Sequence, residues 1–514
     1  MYDKMYGACL QGIDGTIVDV EVDISNGLPH FQIVGLPDSS VKESTERVRS
    51  ALKNSGAAFP MERITINLAP ADVRKEGASF DLAIAVGILC ASGQLQLPGL
   101  DRCLTIGELS LDGRLRPVRG VLSMVDAAKR RGMTNVLLPS ANVEEATLIE
   151  GMRIAGIDSI TQLLARKDNP LFDGIPVSRG LQNERMPSNV EDVDTEDFVD
   201  VCGQFQAKRA LTIAAAGLHN LIFIGPPGSG KTMLIRRLPS ILPVLSDDES
   251  LEVTKIYSAA GLIPDRSKLI RRRPFRNPHH TVSMGGLVGA GSYPKPGEVS
   301  LAHRGVLFLD ELPEFPRSVL EVLRQPIEDR RVTIGRAKAV ITFPTHFMLA
   351  ASMNPCPCGY WGFPTLTASC TCTPMKVRQY RSKISGPLLD RIDLHVEVPR
   401  IDFDSMKQTS GNAASRDLRQ SVLQALNRQS ARYAGTPIRF NGELNGRMLR
   451  EHCRLPPEGE KLLSESFEAL GLSVRAHDRI LKIARTIADL DDSDGIGTSH
   501  LAEALQYRCL DRSL

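Results

Sequence analysis

Hydrophobic and polar positions alternate near the N-terminus: Val18, Val20, Val22 and Ile24 are interleaved with Asp19, Glu21 and Asp23. Strand side chains switch faces at every residue, so this period of two predicts a strand with one buried face. Ile64, Ile66 and Leu68 repeat the pattern. Between the two strands the period lengthens. Val41, Thr45, Val48 and Leu52 recur at helical spacing, with Asp38 and Ser39 as candidate caps and Gly56 as a stop. Residues 79–92 are rich in Ala, Ile and Leu and predict a buried helix. Further strands are expected near 103–109 and 134–139, with a helix near 121–131. The first third, 1–172, therefore reads as a mixed α/β domain.

The pattern lapses over 173–196, which is polar, acidic and poor in aromatics, and a linker is expected there. It resumes with a helix over 204–218 and a buried strand over 220–224. Residues 306–309 and 347–351 are short continuous apolar runs, the pattern of parallel strands covered on both faces. Beyond about 410 the chain reads as almost wholly helical, and Ile480, Leu481, Ala484, Ile487 and Ala488 give one helix an apolar face. The expected layout is an α/β core over 197–405 followed by a separate small helical domain over 406–514.

Composition narrows the function. A chain of 514 residues with 42% hydrophobic and 24% charged residues is long enough for several cores and is not wholly disordered. The 62 Lys and Arg against 60 Asp and Glu exclude a uniformly cationic surface, so any grip on nucleic acid has to come from local patches. No run of 18 apolar residues occurs, and residues 1–10 lack the basic and apolar pattern of a signal peptide, so the reading is a cytoplasmic protein. In that reducing setting, clustered cysteines point to metal rather than to disulfides.

The chemistry concentrates in the second half. Gly225, Pro226, Pro227, Gly228, Ser229, Gly230, Lys231 and Thr232 match G-x-x-x-x-G-K-[ST] between an apolar strand and a helix. Such a loop curls its backbone N–H groups around phosphates, and Lys231 can reach the β- and γ-phosphates of ATP. The Thr232 hydroxyl can bind Mg²⁺. The run 306–309 ends in Asp310 and Glu311, carboxylates at the sheet edge where doubly wound folds bind ligands. Asp310 can hold Mg²⁺ through water, and Glu311 can polarise an attacking water. Asn354, after the third apolar run, could orient that water; asparagine after a strand is otherwise a turn residue.

Cys356, Cys358, Cys370 and Cys372 form two close pairs within 354–374, a set suited to tetrahedral Zn²⁺, with four free or redox-labile thiols as the other reading. The isolated Cys9, Cys90, Cys103, Cys202, Cys453 and Cys509 read as buried small apolar groups. Adjacent His279 and His280 read as packing or loop residues. Basic residues gather as Arg271, Arg272, Arg273 and Arg276 before a glycine-rich insert (284–292). Arg330, Arg331, Arg336 and Lys338 lie on or beside an expected hairpin of 332–334 and 340–342. By charge alone they read as a solvated face or as a patch able to meet phosphates.

Three such strands in this order resemble the AAA+ ATPases. The segments 274–281 (PFRNPHHT), 294–303 (PKPGEVSLAH) and 310–315 (DELPEF) resemble the magnesium-chelatase-like branch and, within it, the ComM/YifB family. So do 34–37 (VGLP) and 475–479 (RAHDR), and the resemblance covers nearly the whole chain. It implies a Lon-protease-like, ribosomal-S5-type N-terminal domain, an AAA+ P-loop doubly wound core and a small C-terminal helical lid. It also implies that Arg391, within 385–393 (SGPLLDRID), reaches into a neighbouring subunit's site as an arginine finger. Taken by spacing alone, Arg391 reads as the surface ion-pair partner of Asp390 or Asp393. Arg475 resembles the sensor-2 arginine of the lid, with Arg479, one turn on, as the alternative.

Finger action between subunits implies a ring, which the family makes a hexamer. The resemblance to ring motors also implies that the glycine-rich insert and the basic hairpin grip DNA. Ser79, in 75–79 (KEGAS), matches the position of the Lon nucleophile. Leu122 falls where the Lon lysine would lie and Lys129 is about two turns away, so no peptidase activity is expected. The implied function is an ATP-driven DNA motor, a helicase or branch-migration activity in recombination or natural transformation. The alternative is a chelatase- or chaperone-type ATPase that remodels a protein partner.

Overall fold

The computed structural model describes residues 1–166, 170–178, 180, 196–291, 294–336, 340–364, 369–401, 413–508 and 510. Two compact units divide the chain, 1–190 with 247–270 and 191–246 with 271–514.

The first unit is built on a seven-stranded mixed sheet. Its strands are β1 (Tyr2–Gln11), β2 (Asp14–Ser25), β3 (His30–Val34), β4 (Arg63–Ala69) and β5 (Cys103–Thr105), completed by β8 (Asn135–Pro139) and β9 (Arg153–Ile157). The order is β3-β4-β2-β1-β5-β8-β9. β1, β2 and β4 pair antiparallel, and the remaining neighbours pair parallel. Val18, Val20, Val22 and Ile24 are buried against Leu82, Ile84 and Leu89 of the helix Asp81–Ala91. The helix Ser39–Asn54 starts as its sequence predicts, with the Asp38 carboxylate accepting from Val41 N–H at 2.7 Å.

β1 has no clean alternation because Gly7 interrupts it: a Cβ there would stand 2.8 Å from the Phe80 ring, which fills that place. The strand expected over 103–109 is divided. Gly107 bonds the start of the buried helix, donating to Ser79 O and accepting from Leu82 N–H, so the chain leaves the sheet. β6 (Glu108–Leu109) then pairs with β7 (Leu115–Arg116) in a small hairpin.

Two boundaries differ from the sequence reading. Within 173–178 the chain is bound to the first unit, not free as a linker: Val177 bridges Arg153, and Ser178 N–H donates to Met152 O at 2.7 Å. Most of the expected linker, 179 and 181–195, lies outside the described residues. The helix Asp247–Ala260 also belongs to the first unit, where Lys255 pairs with Asp126 and the Ser258 hydroxyl donates to Glu145, all buried.

The second unit carries a five-stranded parallel sheet of β10 (Leu221–Ile224), β11 (Phe275–Arg276), β12 (Val306–Leu309), β15 (Met348–Met353) and β16 (Leu394–Glu397), in the order β11-β12-β15-β10-β16. Every residue of β10, β12 and β15 is buried, as the unbroken apolar runs of β10 and β12 require; in β15 the run is broken at Ser352. β13 (Arg331–Gly335) and β14 (Val340–Pro344) form the expected hairpin, with Val332 and Ile334 inward and Arg331 and Thr333 outward.

The C-terminal helices, Ser415–Arg432, Gly446–His452, Pro457–Leu470, Val474–Leu490 and Thr498–Gln506, do not form a separate body. Ile480, Ala484 and Ile487 share one core with Ala210, Leu211 and Ala214 of the helix Phe205–Gly217. The Gln429 amide donates to Ala216 O at 2.9 Å, and His219 meets the Thr486 hydroxyl at 2.8 Å. The apolar stripe expected to close a small domain on itself is spent instead on the P-loop core.

Candidate active site

β10, β15 and β12 are neighbours in one parallel sheet, so the segments after them leave the same carboxyl edge. The loop 225–230 follows β10, Asp310 and Glu311 follow β12, and Asn354 follows β15. Three widely spaced motifs are thereby brought to one place, where open α/β sheets bind ligands.

The loop's conformation depends on its glycines. Gly228 and Gly230 have φ of 74° and 87°, a left-handed backbone that side chains disfavour. A Cβ on Gly225 would stand 2.1 Å from Val398 O. The helix Lys231–Arg236 begins as the loop ends. Its first residue folds back, and Lys231 Nζ donates to Gly225 O at 2.8 Å, Pro226 O at 2.9 Å and Asn354 Oδ1 at 3.3 Å. Burial pulls the Lys231 ammonium down to about 8, against the opposing pull of Asp310 and Glu311. The Ser229 hydroxyl is buried in the loop with no hydrogen-bond partner. A concave loop with an orphaned hydroxyl and a desolvated cation fits a phosphate chain.

The Thr232 hydroxyl donates to Asp310 Oδ2 at 2.9 Å, which places two oxygen donors suited to Mg²⁺ side by side. Asp310 is oriented from β15 by the Ser352 hydroxyl. Glu311 sits in left-handed backbone, φ 55°, and its side chain is half exposed. That strained turn releases the carboxylate from the sheet edge while Asp310 stays at it.

Two neighbours escape sequence reading. Ser352 is a polar residue inside an otherwise apolar strand, a signal present but easily overlooked. His280, read as a packing or loop residue, has Nδ1 3.8 Å from Glu311 Oε2 and its ring 4.1 Å from that of His279. Nothing in its spacing announces this.

Arg391 and Arg475 lie elsewhere, on the wall of a cavity of about 420 Å³ that Arg330, Arg479 and Lys482 also line. Arg391 is buried and pairs with Glu328, not with Asp390 or Asp393, which corrects the surface ion pair read from spacing. Asp393 is engaged by Asn220 N–H at 2.9 Å and Arg479 at 3.4 Å. Burial pushes the Asp393 carboxyl up, but Arg479 and His219 overcome this and hold it well below the usual carboxylate range. The Arg391 Nε is buried without a partner. Arg475 is half exposed and stands 3.6 Å from the same Glu328.

The four clustered cysteines converge. Cys356 Sγ lies 3.3 Å from Cys358 and 3.8 Å from Cys370, and all four sulfurs lie within 4.8 Å of one another. Such a group could hold a metal ion. Of the isolated cysteines, Cys9, Cys103 and Cys453 are buried, Cys90 and Cys202 are half-buried, and Cys509 lies outside the described residues.

Several basic residues expected to be available are committed inside the fold. Arg276 forms a two-pronged pair with Glu298 at 2.7 and 2.8 Å, Arg273 donates to Pro243 O and Arg304 O, and Arg330 pairs with Glu443 at 2.9 Å. Arg331 and Arg336 are exposed on the hairpin; Lys338 and residue 292 of the insert lie outside the described residues. In the first unit, the Ser79 hydroxyl is buried and donates to Ala8 O at 2.9 Å, and Leu122 is buried.

A glycine loop, a strand-end acid pair and a polar strand tip on one parallel sheet define a P-loop protein of the AAA+ type. Three family models match parts of the chain: the magnesium chelatase subunit ChlI over 197–406, subunit ChlI of Mg-chelatase over 20–142, and the subunit ChlI C-terminal region over 412–508. The chain is 43% identical to the competence protein ComM of Haemophilus influenzae over 513 residues, 99% of this chain and 98% of the relative. It is 43% identical to YifB of Escherichia coli over 505 residues, 98% and 96% of the two chains. Lon protease 2 of Bacillus subtilis is 26% identical over 168 residues, 29% of this chain and 30% of the relative. The chain belongs to the ComM/YifB family of magnesium-chelatase-like AAA+ proteins. That membership implies ATP and Mg²⁺, and no described helix is long and apolar enough to cross a membrane.

Proposed function

We propose that this protein is an ATP-hydrolysing AAA+ ring motor acting on DNA, with a helicase or branch-migration role in recombination or natural transformation. The observation that carries the reading is the convergence of Lys231, Thr232, Asp310 and Asn354 at one sheet edge. The loop 225–230 binds the phosphates through its N–H groups, and Lys231 exchanges its carbonyl partners for phosphate oxygens. Thr232 and Asp310 would hold Mg²⁺, which would supply charge neutralisation to the phosphates. Glu311 takes the proton from the attacking water, and Asn354 fixes the water's direction. Arg391 and Arg475 share a cavity built around Glu328, which supports their presentation together to a neighbouring protomer's nucleotide. Sites shared in this way favour a closed ring, read as a hexamer.

Action on DNA is supported by the exposed Arg331 and Arg336 of the β13–β14 hairpin, and by the competence protein among the relatives. The buried Ser79 and the leucine at position 122 support a first domain without peptidase activity. The chelatase family models favour a second reading, a chaperone-type ATPase that remodels a protein. Steady-state ATPase assays with single-stranded, duplex and branched DNA separate the two. Stimulation by at least one DNA form is expected, with turnover lost in Glu311→Gln; no stimulation by any form overturns the DNA motor.

A further inference from the structure

The cysteine tetrad and the nucleotide loop are in contact. Gly359, between the two cysteine pairs, has φ 88°, and a Cβ on it would stand 2.6 Å from Pro227 Cδ in the loop. A proline ring cannot swing aside as a long side chain does. Tyr360 lies under the Arg400 guanidinium, 5.9 Å from ring centroid to carbon, and Arg400 Nη2 donates to Pro227 O at 3.2 Å. Asn354, two residues before Cys356, accepts from Lys231. Between them Arg381 Nε donates to Pro355 O at 3.3 Å. The turn that starts the tetrad therefore approaches the loop at Pro227 and is bonded to its lysine through Asn354.

The sulfur geometry suits one ion. A tetrahedron with Zn–S bonds of about 2.3 Å has sulfur–sulfur edges of about 3.8 Å. Separations of 3.3, 3.5 and 3.8 Å among Cys356, Cys358 and Cys370 lie near that edge and far beyond a disulfide bond. Backbone groups of Tyr360 and Thr371 hydrogen-bond to the Cys358 sulfur, as the outer partners of a metal thiolate do. Four thiolates in a tetrahedral set select zinc over the hard cations that bind carboxylates.

We infer that the four cysteines hold one zinc ion, and that this ion clamps the turn at 354–360 against the nucleotide loop, so that ATP affinity depends on zinc. The inference rests on the ATP-binding reading above. Four cysteines alone cannot fix Gly359 and Asn354. Without the ion nothing ties the two cysteine pairs to each other, and the loop loses the wall at Pro227 and the acceptor for Lys231. Zinc here is a strut rather than a reactant, distinct from the Mg²⁺ of the nucleotide.

The test uses full-length protein purified without added metal. Bound zinc is measured by atomic emission, and nucleotide affinity by titration of a fluorescent ATP analogue in Mg²⁺. The wild type is expected to carry one zinc per chain. Removal with a zinc-selective chelator should weaken nucleotide binding at least tenfold, and zinc alone should restore it. Cys370→Ser should lose both zinc and affinity. Gly359→Ala should keep its zinc yet bind nucleotide several-fold more weakly, which separates the contact from general folding should Cys370→Ser prove insoluble. A metal-free wild type with oxidised cysteine pairs overturns the inference, as does unchanged affinity after zinc removal. Wild-type protein that holds zinc but binds no nucleotide brings down the ATPase reading and the clamp together.

Discussion

Lys231 and Asp489 are both buried charges, and the two differ in how they are compensated. Lys231 has only carbonyl oxygens and an amide within hydrogen-bond reach, so burial lowers it to about 8 from the 10.5 of an exposed lysine. Below about pH 8 the free protein carries the desolvated ammonium; above it the lysine is neutral, and binding phosphate requires it to take a proton back from solvent. Nucleotide affinity is therefore expected to fall about tenfold for each pH unit above roughly 8.5, with proton uptake on binding measurable by calorimetry in two buffers. Affinity that is flat from pH 7 to 10 would contradict this assignment. Asp489 receives Arg432 at 2.8 Å, Asn441 at 2.8 Å and Arg485 at 3.0 Å, all within the helical region. Asp489→Ala strands Arg485, itself buried, and a loss of about 3–5 kcal/mol is expected in denaturant unfolding of the second unit.

At the scale of elements, sequence period told what a segment is, and burial decided what it does. The hairpin β13–β14 follows its alternation, with Val332, Ile334, Ile341 and Phe343 buried beneath it. Its basic residues then part company: Arg330 at its base is tied to Glu443, and Arg331 and Arg336 face outward. Replacing Arg331 and Arg336 together with alanine should cut DNA stimulation of the ATPase. It should also flatten the salt dependence of DNA binding by about one unit of slope for each phosphate that the variant no longer neutralises. An unchanged slope would remove the hairpin from the DNA path. The divided strand at 103–109 shows the opposite case, since Gly107 bonds a helix start that no local pattern foretells.

At the scale of the whole molecule, the loop and acids that would hold ATP and the arginines expected to complete its site occupy different places on one chain. In the ring proposed above, a single protomer would carry halves of two different sites. Lys231→Ala and Arg391→Ala should each abolish turnover. Mixed in equal amounts and reassembled, they should recover activity, because roughly a quarter of randomly formed interfaces join an intact loop to an intact arginine. No recovery on mixing, with oligomers shown to exchange, would place Arg391 outside the neighbour's site. Arg475 and its alternative Arg479 line the same cavity as Arg391, and the fusion of the helical region to the helix Phe205–Gly217 ties their position to the P-loop core.

The chain's own order of residues determined the strands at 18–24, 64–68, 221–224 and 306–309, the capped helix at 39–54, the glycine loop and the Asp-Glu pair. Each of these is a local matter of period, cap or backbone freedom, and each carries its signal within a few neighbouring residues. Tertiary structure alone decided that Ser352 and His280 attend Asp310 and Glu311, that Arg391 answers to Glu328, and that Gly359 presses on Pro227. Those partners lie 42, 31, 63 and 132 positions apart. Contacts over such separations are set by sheet order and core packing, which no nearest-neighbour pattern encodes.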